Sequence, residues 1–275
     1  MGQQEVTQYL SHLAVDRRVS VSTQNQALSA LLFLYKEVLG VGLPWLKNIV
    51  RAKRPQRLPL VLSREEVQAV LSRLEGDKWL MVALLYGAGL RLLECLRLRI
   101  KDVDFARNQI VVREGKGNKD RVTMLPRLVR FELAGQIEWV KRQYEEDLAR
   151  GAGWVILPLA LAKKYPSSGQ SLAWQWVFPG KRIHTQRSTG RRWRHHLHES
   201  VLQRAVKVAA READLVKPLS CHTFRHSFAT HLLEDGYDIH TVRKLLGHKD
   251  IRTTIIYTHV LERGPMAVRS PADRI

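Results

Sequence analysis

The chain of 275 residues has little of what marks secreted, zinc-binding or membrane-spanning proteins. It has 2 cysteines and no CxxC pair, too few thiols for a disulfide framework or a typical structural zinc site. Its longest apolar run, residues 79–90, is shorter than the roughly 20 residues needed to span a bilayer. The first ten residues have neither the basic nor the apolar part of a secretory signal. These absences predict a reduced, cytoplasmic protein with no membrane partner.

Acidic residues are few relative to basic ones. The sequence has 26 Asp and Glu against 45 Lys and Arg, a formal net charge of +19. A folded protein this basic most often binds a polyanion, usually a nucleic acid. Because 45% of the residues are hydrophobic, the chain can bury a core and is not a disordered basic tail. Composition alone leaves open a basic enzyme with no nucleic-acid partner.

Proline and charge divide the chain into two predicted domains. Apolar periodicity predicts helices at residues 5–14 and 23–39, within a small helical domain over residues 1–50. Residues 51–59 contain two prolines and several basic residues, which predicts a linker suited to a phosphate backbone. The basic residues expected to contact DNA there are Arg51, Lys53 and Arg54. An ordinary solvated linker is the alternative.

The larger domain, residues 60–270, is predicted to be mainly α-helical with a small antiparallel β-sheet. It opens with a capping-box pattern, Ser63 to Glu66, before an amphipathic helix. Three short strands are predicted within residues 99–126, the last two joined by a tight turn at residues 115–120. Residues 127–150 and 199–260 are predicted to be helical, and residues 154–198 irregular.

A set of polar residues in this domain suits phosphoryl transfer. Arginines can neutralise the non-bridging oxygens of a phosphodiester, and a histidine can accept a proton from a nucleophile. A lysine can protonate the leaving oxygen, and a tyrosine hydroxyl can attack phosphorus. The residues of these types are Arg91, Lys116, His222, Arg225, His248 and Tyr257.

Each of these residues also has a simpler explanation. Tyr257 follows Ile255 and Ile256 and could be an ordinary core tyrosine. His222 and His226, four residues apart, could be a zinc pair, but no third ligand is obvious. No metal site and no nucleotide cofactor are therefore expected.

Five ordered motifs resemble those of the tyrosine recombinases, the phage-integrase-like family. They are GAGLRLLE (87–94), GKGNKDR (115–121), HTFRHSFATHLL (222–233), LLGH (245–248) and IYTHV (256–260). The resemblance extends over about residues 57–270. It implies the fold of that catalytic domain and a site-specific DNA recombinase that cleaves and rejoins strands without a metal or other cofactor.

The resemblance also implies a role for each matched residue. Arg91 and Arg225 clamp the scissile phosphate, and His248 binds a non-bridging oxygen. Lys116 is the general acid for the 5′-hydroxyl leaving group, with Lys119 as the rival. His222 takes the proton of Tyr257, which forms a 3′-phosphotyrosyl bond to DNA. Glu94 supports the Arg91 turn.

An insertion at about residues 154–190 resembles that of integron integrases. LPLALAKKYPSSGQSLAWQWVFPG (157–180) is similar to their extra helix, which implies that the enzyme integrates and excises gene cassettes. Their cassette site is a folded single strand, so Trp174, His195 and His196 are candidates for holding extrahelical bases. The neighbouring basic candidates for DNA binding are Lys181, Arg182, Arg191, Arg192 and Arg194. In the alternative, Trp174 and Trp176 are core residues that anchor the insertion.

The helical domain at residues 1–50 is short beside that subfamily, which predicts a truncated DNA clamp. The alternatives are an impaired, DNA-binding integrase remnant and a general recombinase acting on duplex sites. The expected partners are integron attachment sites, including cassette hairpins, and further copies of the chain in a homotetramer. The expected location is the bacterial cytoplasm, at the nucleoid when DNA is bound.

Overall fold

The computed structural model describes residues 2–41, 49–52, 59–113, 120–187 and 189–258. The chain divides into two compact units, Met1–Arg57 and Leu58–Ile275. Among the described residues, no helix is long and apolar enough to cross a membrane.

The first unit is a small helical bundle. Helix α1 (Gln3–Val15) and helix α2 (Val21–Phe33) confirm the two predicted helices, and α2 continues into a π-helical turn, Leu34–Val38. The buried core consists of Val6, Leu10 and Tyr35. The buried amide of Gln24 donates to the Leu10 and Val50 carbonyls at 2.8 and 2.7 Å, so it ties both helices to the segment that follows them.

The second unit is mainly helical, as predicted. Its helices are α3 (Arg64–Leu71), α4 (Gly76–Gly87), α5 (Leu92–Leu96), α6 (Arg130–Ala149), α7 (Leu159–Lys164), α8 (Glu199–Glu212), α9 (Cys221–Glu234), α10 (Ile239–Leu246) and α11 (Arg252–Ile255). The predicted capping box is confirmed at α3: Ser63 Oγ accepts from the Glu66 amide at 3.2 Å, and Glu66 Oε2 accepts from the Ser63 amide at 2.8 Å. These bonds satisfy amide groups that a helix start leaves unpaired.

Helix α4 lies at the centre of this unit because its sequence is apolar on every face. Residues from Leu80 to Leu85 are all buried, and α4 packs mainly on α9. In α9 an apolar stripe with a spacing of four residues is formed by Phe224 and Phe228, which are buried, and Leu232, which packs against a smaller core cluster. The opposite face of α9 is left for polar residues.

A three-stranded antiparallel sheet follows α5, with strand order β1-β2-β3. Its strands are β1 (Val103–Asp104), β2 (Gln109–Val112) and β3 (Arg121–Met124). Val112 pairs with Arg121, so the sheet brings β3 next to the turn expected to carry Lys116. That turn lies outside the described residues. The first strand is shorter than predicted because Ile100–Asp102 form a 3₁₀ turn.

The prediction that residues 154–198 are irregular is wrong in part. Strands β4 (Pro179–Thr185) and β5 (Arg192–His196) form a separate antiparallel pair. The strands lack the alternation of apolar and polar residues by which a strand is recognised in sequence. A shift in register between Pro179 and Ile183 further disrupts the pattern. The insertion therefore presents an ordered two-stranded ribbon carrying basic and histidine side chains.

Candidate active site

The turn between α4 and α5 places Arg91. Gly89 has φ +62°, a left-handed conformation that suits glycine, and a Cβ there would lie 2.5 Å from the Phe228 ring. This close approach of the backbone to α9 brings Arg91 to the first position before α5. Three residues later on α5, Glu94 points back to the same turn.

Glu94 holds two arginines through its carboxylate. Arg91 donates to it from Nη1 at 2.6 Å and from its backbone amide at 2.8 Å. Arg121 of β3 forms a bidentate pair with it at 2.8 and 2.6 Å. Burial alone would raise the pKa of Glu94, but the bonds and charge of Arg121, aided by Arg91, lower that pKa to about 2. The carboxylate is therefore charged at all physiological pH values.

Arg225 lies at the base of the site and is fully buried. Its Nη1 donates to the Gly89 carbonyl and its Nη2 to the Leu246 carbonyl. Nη1 also lies 3.7 Å from Glu94 Oε2. Burial, followed by the charge of Arg91, lowers the pKa of Arg225 to about 9, so the guanidinium still carries its charge at pH 7. Three arginines thus converge on one carboxylate and leave the site with a positive charge excess.

His248 is placed by the end of α10, where Gly247 has φ +64°. A Cβ on Gly247 would lie 2.6 Å from Arg121 Cδ, so the glycine allows α10 to approach β3. The His248 Nδ1 atom lies 3.0 Å from Thr254 Oγ1, and Nε2 lies 3.3 Å from Arg225 Nη2. Burial, followed by the charges of Arg225 and Arg91, lowers the pKa of His248 to about 3. The imidazole is neutral at pH 7 and its ring is fixed at both nitrogens.

Tyr257 completes the site from the turn after α11. Its side chain is only 2% exposed and packs in a core cluster with Phe228 and Leu246. Its ring stacks on His248 at 6.4 Å between centroids, and its hydroxyl lies 2.8 Å from His226 Nδ1. Burial raises the pKa of Tyr257. The residue is therefore both a core tyrosine and a neighbour of the arginine cluster.

His222 lies one helical turn before His226 on α9. The two rings meet edge to face with centroids 4.5 Å apart. The histidine within hydrogen-bond distance of the Tyr257 hydroxyl is His226, whereas the resemblance assigns the tyrosine proton to His222. Burial, followed by the charges of Arg225 and Arg91, lowers the pKa of His222.

The structure brings together five of the six predicted catalytic residues, and the sixth, Lys116, lies outside the described residues. Three further site residues were not assigned from the sequence as parts of the catalytic machinery. Arg121 lies inside the motif GKGNKDR, in which the resemblance gives a role only to a lysine, and Glu94 has a role only in the Arg91 turn. The spacing of His226 from His222 suggests only a metal ligand. In the described part of the chain, no cluster of three or more His, Cys, Asp or Glu residues is placed to hold a metal ion.

In the insertion, the tryptophans are covered to different degrees. Trp176 is buried, and the Arg99 guanidinium lies 3.7 Å from the centre of its ring. Trp174 is half-buried, and the Lys101 ammonium lies 2.9 Å from the centre of its ring. The Trp174 carbonyl accepts from Arg99 Nη1 at 2.6 Å. Arg99, whose guanidinium also lies 5.1 Å from the centre of the Trp174 ring, therefore anchors the insertion, while Trp174 as a residue stays partly exposed.

The candidate DNA-binding residues of the ribbon also differ in exposure. His195 is exposed, whereas His196 is buried and its Nδ1 lies 2.8 Å from the Leu197 carbonyl.

Arg194 forms a bidentate pair with the buried carboxylate of Asp147, at 2.5 and 2.8 Å. Arg192 donates to the Arg150 carbonyl at 2.6 Å. The exposed basic candidates are Lys181, Arg182 and Arg191 on the ribbon and Arg51 in the first unit, while Lys53 and Arg54 lie outside the described residues.

A cavity of about 480 Å³ lies between the insertion and the ribbon. Trp154 and Trp193 line it, and His184 stacks on Trp193 at 5.0 Å between centroids. Arg191, also at the cavity wall, lies 4.1 Å from the centre of the Trp154 ring. An aromatic cavity next to exposed cations is suited to a flat, negatively charged ligand.

Comparison with known protein families identifies the family to which this chain belongs. The model of the phage integrase family matches residues 61–263, and that of the phage integrase N-terminal SAM-like domain matches residues 1–45. The chain therefore belongs to the phage integrase family and is a tyrosine-type site-specific recombinase, an enzyme that cleaves and rejoins DNA strands.

Several curated relatives match most of the chain. An integrase/recombinase of Escherichia coli is 49% identical over 275 residues, which is 100% of this chain and 82% of that protein. The tyrosine recombinase XerD of Agrobacterium fabrum is 30% identical over 94% of this chain and 76% of its own length. These names support the recombinase class.

Solved structures share the fold. The crystal structure of XerA recombinase has a TM-score of 0.53 at 26% identity, covering 97% of this chain and 80% of that one. XerH recombinase, bound to a palindromic difH substrate after cleavage, has a TM-score of 0.60 at 23% identity, covering 94% and 69%. The second likeness concerns the fold alone.

Proposed function

We propose that this recombinase integrates and excises gene cassettes at integron attachment sites, through a 3′-phosphotyrosine formed by Tyr257. The observation that carries the chemical part is the position of Tyr257: its hydroxyl lies 2.8 Å from His226 Nδ1, and its ring stacks on His248, whose Nε2 lies 3.3 Å from Arg225 Nη2. The sequence of the insertion, residues 154–190, supports the proposal that the substrates are gene cassettes.

Charge stabilisation is the main contribution of the arginines. Attack on a phosphodiester places additional negative charge on the non-bridging oxygens, and a fixed guanidinium stabilises that charge without reorganising. Glu94 fixes Arg91 and Arg121, while backbone carbonyls fix Arg225. The loss of one such contact typically reduces the rate by about 10²–10³.

The phosphotyrosine bond conserves the energy of the phosphodiester bond that is broken in the DNA strand. The Tyr257 oxygen bonds to phosphorus and the 5′ oxygen leaves as a hydroxyl, for which Lys116 is the proposed proton donor. Attack by another 5′-hydroxyl reverses the step and joins the new strands. Exchange between two duplexes requires four cleavages, which supports an assembly of four copies of the chain on two sites. We propose that this assembly forms in the bacterial cytoplasm.

A folded single strand is the proposed cassette substrate. Such a hairpin leaves bases outside the stack, and these need aromatic faces near positive charge. Trp174 offers part of a ring, and the cavity between Trp154 and Trp193 offers two more. The exposed Lys181, Arg182 and Arg191 are available for the adjoining phosphates.

The test of the nucleophile is Tyr257→Phe. Wild type is incubated with attachment-site oligonucleotides nicked near the cleavage point, so that the covalent adduct is trapped, and adducts are separated on denaturing gels. We expect an adduct with wild type and none with the variant, at equal affinity in a band-shift assay. An adduct formed by Tyr257→Phe contradicts the assignment.

The test of the substrate is Trp174→Ala. Because stacking on an aromatic ring contributes about 1–3 kcal/mol per base, we expect the hairpin Kd to rise about 5- to 150-fold and the Kd of the same sequence as a full duplex to change little. Trp139→Ala, on the exposed side of α6, is the matched control and should change neither value. Equal losses on hairpin and duplex contradict the proposal.

A second candidate is a recombinase that acts on duplex sites. The 30% identity to XerD over 94% of the chain favours it. A recombinase of this kind would have no need of residues 157–180. It predicts that Trp174→Ala leaves duplex recombination unchanged and that the hairpin is not preferred over an unrelated hairpin.

A further inference from the structure

We propose that His226 is the group that takes the proton from the Tyr257 hydroxyl as its oxygen bonds to phosphorus. The inference rests on the proposed role of Tyr257 as the nucleophile. It assigns His226, which the resemblance leaves without a role, to direct contact with a reacting atom.

The contact is built into the packing of two elements. His226 lies in the middle of α9, and its Nδ1 is 2.8 Å from the Tyr257 oxygen. A tyrosine hydroxyl that is buried needs an acceptor, and His226 Nδ1 is the partner at hydrogen-bond distance. The neutral imidazole with its proton on Nε2 meets that need, because Nδ1 then carries a free lone pair.

The surroundings of His226 keep its imidazole in the neutral form. The titratable and charged groups that face it are His222 and Arg225 on α9 and Tyr257 after α11, with His248 stacked behind the tyrosine. Burial, then His222 and Arg225, lower the pKa of His226 to about 4. The ring is therefore neutral at pH 7. Because burial also raises the pKa of Tyr257, the tyrosine will not ionise readily without an acceptor.

The step balances without a further reactant. The bond between the Tyr257 oxygen and phosphorus forms, the bond from phosphorus to the 5′ oxygen breaks, and the tyrosine proton moves to His226 Nδ1. The departing 5′ oxygen takes a proton from the general acid, for which Lys116 is proposed. In the reverse reaction His226 returns its proton to the tyrosine oxygen.

The kinetic test is His226→Gln. Glutamine retains a hydrogen-bond acceptor but cannot take the proton. Adduct formation is measured in single turnovers from pH 6 to 9, on a nicked oligonucleotide that wild type cleaves. General-base catalysis contributes about 10²–10⁴, so we expect a loss of at least 10² at pH 7. We also expect the variant rate to rise about tenfold per pH unit, since only tyrosinate then attacks, while wild type changes little.

His240→Gln, exposed at the start of α10, is the matched control and should behave as wild type. A merely structural role for His226 predicts a loss without this pH slope. A His226→Gln rate within about threefold of wild type at pH 7, or a loss independent of pH, overturns the proposal.

A substrate with a different leaving group distinguishes the role of His226 from that of the general acid. With sulfur in place of the bridging 5′ oxygen, the departing thiolate needs no proton. We expect this substrate to restore the rate of Lys116→Ala and to leave the defect of His226→Gln. Restoration of His226→Gln would assign it to the leaving group and overturn the proposal.

A measurement without DNA tests the hydrogen bond in the wild-type protein. Long-range ¹H–¹⁵N NMR of the histidine side chains, assigned by comparison with His226→Gln, should show His226 protonated on Nε2 at pH 7. Its Nδ1 signal should shift in Tyr257→Phe. A proton on Nδ1 overturns the proposal, whereas an adduct formed by Tyr257→Phe overturns the proposed nucleophile and leaves this NMR result intact.

Discussion

Replacement of Glu94 by glutamine removes the negative charge on which three arginines converge. The side chain is 9% exposed, so water does little to screen the loss. A pKa of about 2 in place of the ordinary 4.5 means that the folded protein favours the charged carboxylate by about 3 kcal/mol. Glu94→Gln keeps the shape and some hydrogen bonds, so we expect it to lower the free energy of unfolding by about that amount at pH 7.

The sign of the pH dependence follows from the direction of the shift. Because the folded-state pKa of Glu94 is depressed, its contribution is complete above pH 4.5 and falls as the pH drops towards 2. The difference between wild type and Glu94→Gln should therefore be constant from pH 8 to about 5.5. It should shrink by about 1 kcal/mol at pH 4 and about 2 kcal/mol at pH 3.

Urea denaturation followed by circular dichroism measures this difference at each pH. Glu138→Gln, on the exposed face of α6, removes the same charge from the surface and should stay within about 0.5 kcal/mol of wild type. A Glu94→Gln protein as stable as wild type at pH 7, or equally destabilised at pH 7 and pH 4, would refute the reasoning.

Two further substitutions test the packing around the site and the ribbon. Gly89→Ala would place a side chain on a residue with a left-handed φ and bring its Cβ to 2.5 Å from the Phe228 ring. We therefore expect the free energy of unfolding to fall by about 2–4 kcal/mol, measured by thermal or urea denaturation. The control is Gly135→Ala on α6, where a Cβ meets open space and stability should not fall. Arg194→Met leaves the buried carboxylate of Asp147 unpaired, and we expect a loss of about 3–5 kcal/mol in urea denaturation, largely regained in the double variant Arg194→Met/Asp147→Leu. A loss below about 1 kcal/mol in Gly89→Ala or Arg194→Met would contradict the corresponding argument.

The helices were predictable because their periodicity is local. Residues 3–38 and the start of α3 carry apolar spacing and capping signals that need no distant partner. The ribbon β4–β5 was not predictable, because its strands are rich in Arg and His and its pairing depends on contacts outside it. Trp154, for example, pairs with Trp193 across the insertion. Such long-range contacts leave no period in the sequence.

The sequence predicted which residues would lie together at the candidate site, but not the contacts between them. The order of the motifs predicts that Arg91, Arg225, His248 and Tyr257 belong to one site, but it does not predict which of their side chains are in contact. Whether Tyr257 meets His222 or His226 depends on how α11 sits against α9, a matter of a few ångströms. The same limit explains Arg121, whose partner Glu94 lies 27 residues earlier in the sequence.

The count of 45 Lys and Arg overstates the number of basic side chains available to DNA, because several arginines already neutralise buried carboxylates, pairs for which the net charge of +19 has already allowed. Arg194 pairs with Asp147, Arg113 with Asp102 and Arg121 with Glu94, and all three carboxylates are nearly inaccessible to water. An arginine held in this way contributes mainly to stability, since releasing it to a phosphate would leave a buried charge unpaired. On the ribbon, the exposed basic candidates Lys181, Arg182 and Arg191 remain available to a phosphate backbone. Sequence composition points to a polyanion, but only the pairing of each arginine shows which basic side chains can meet it.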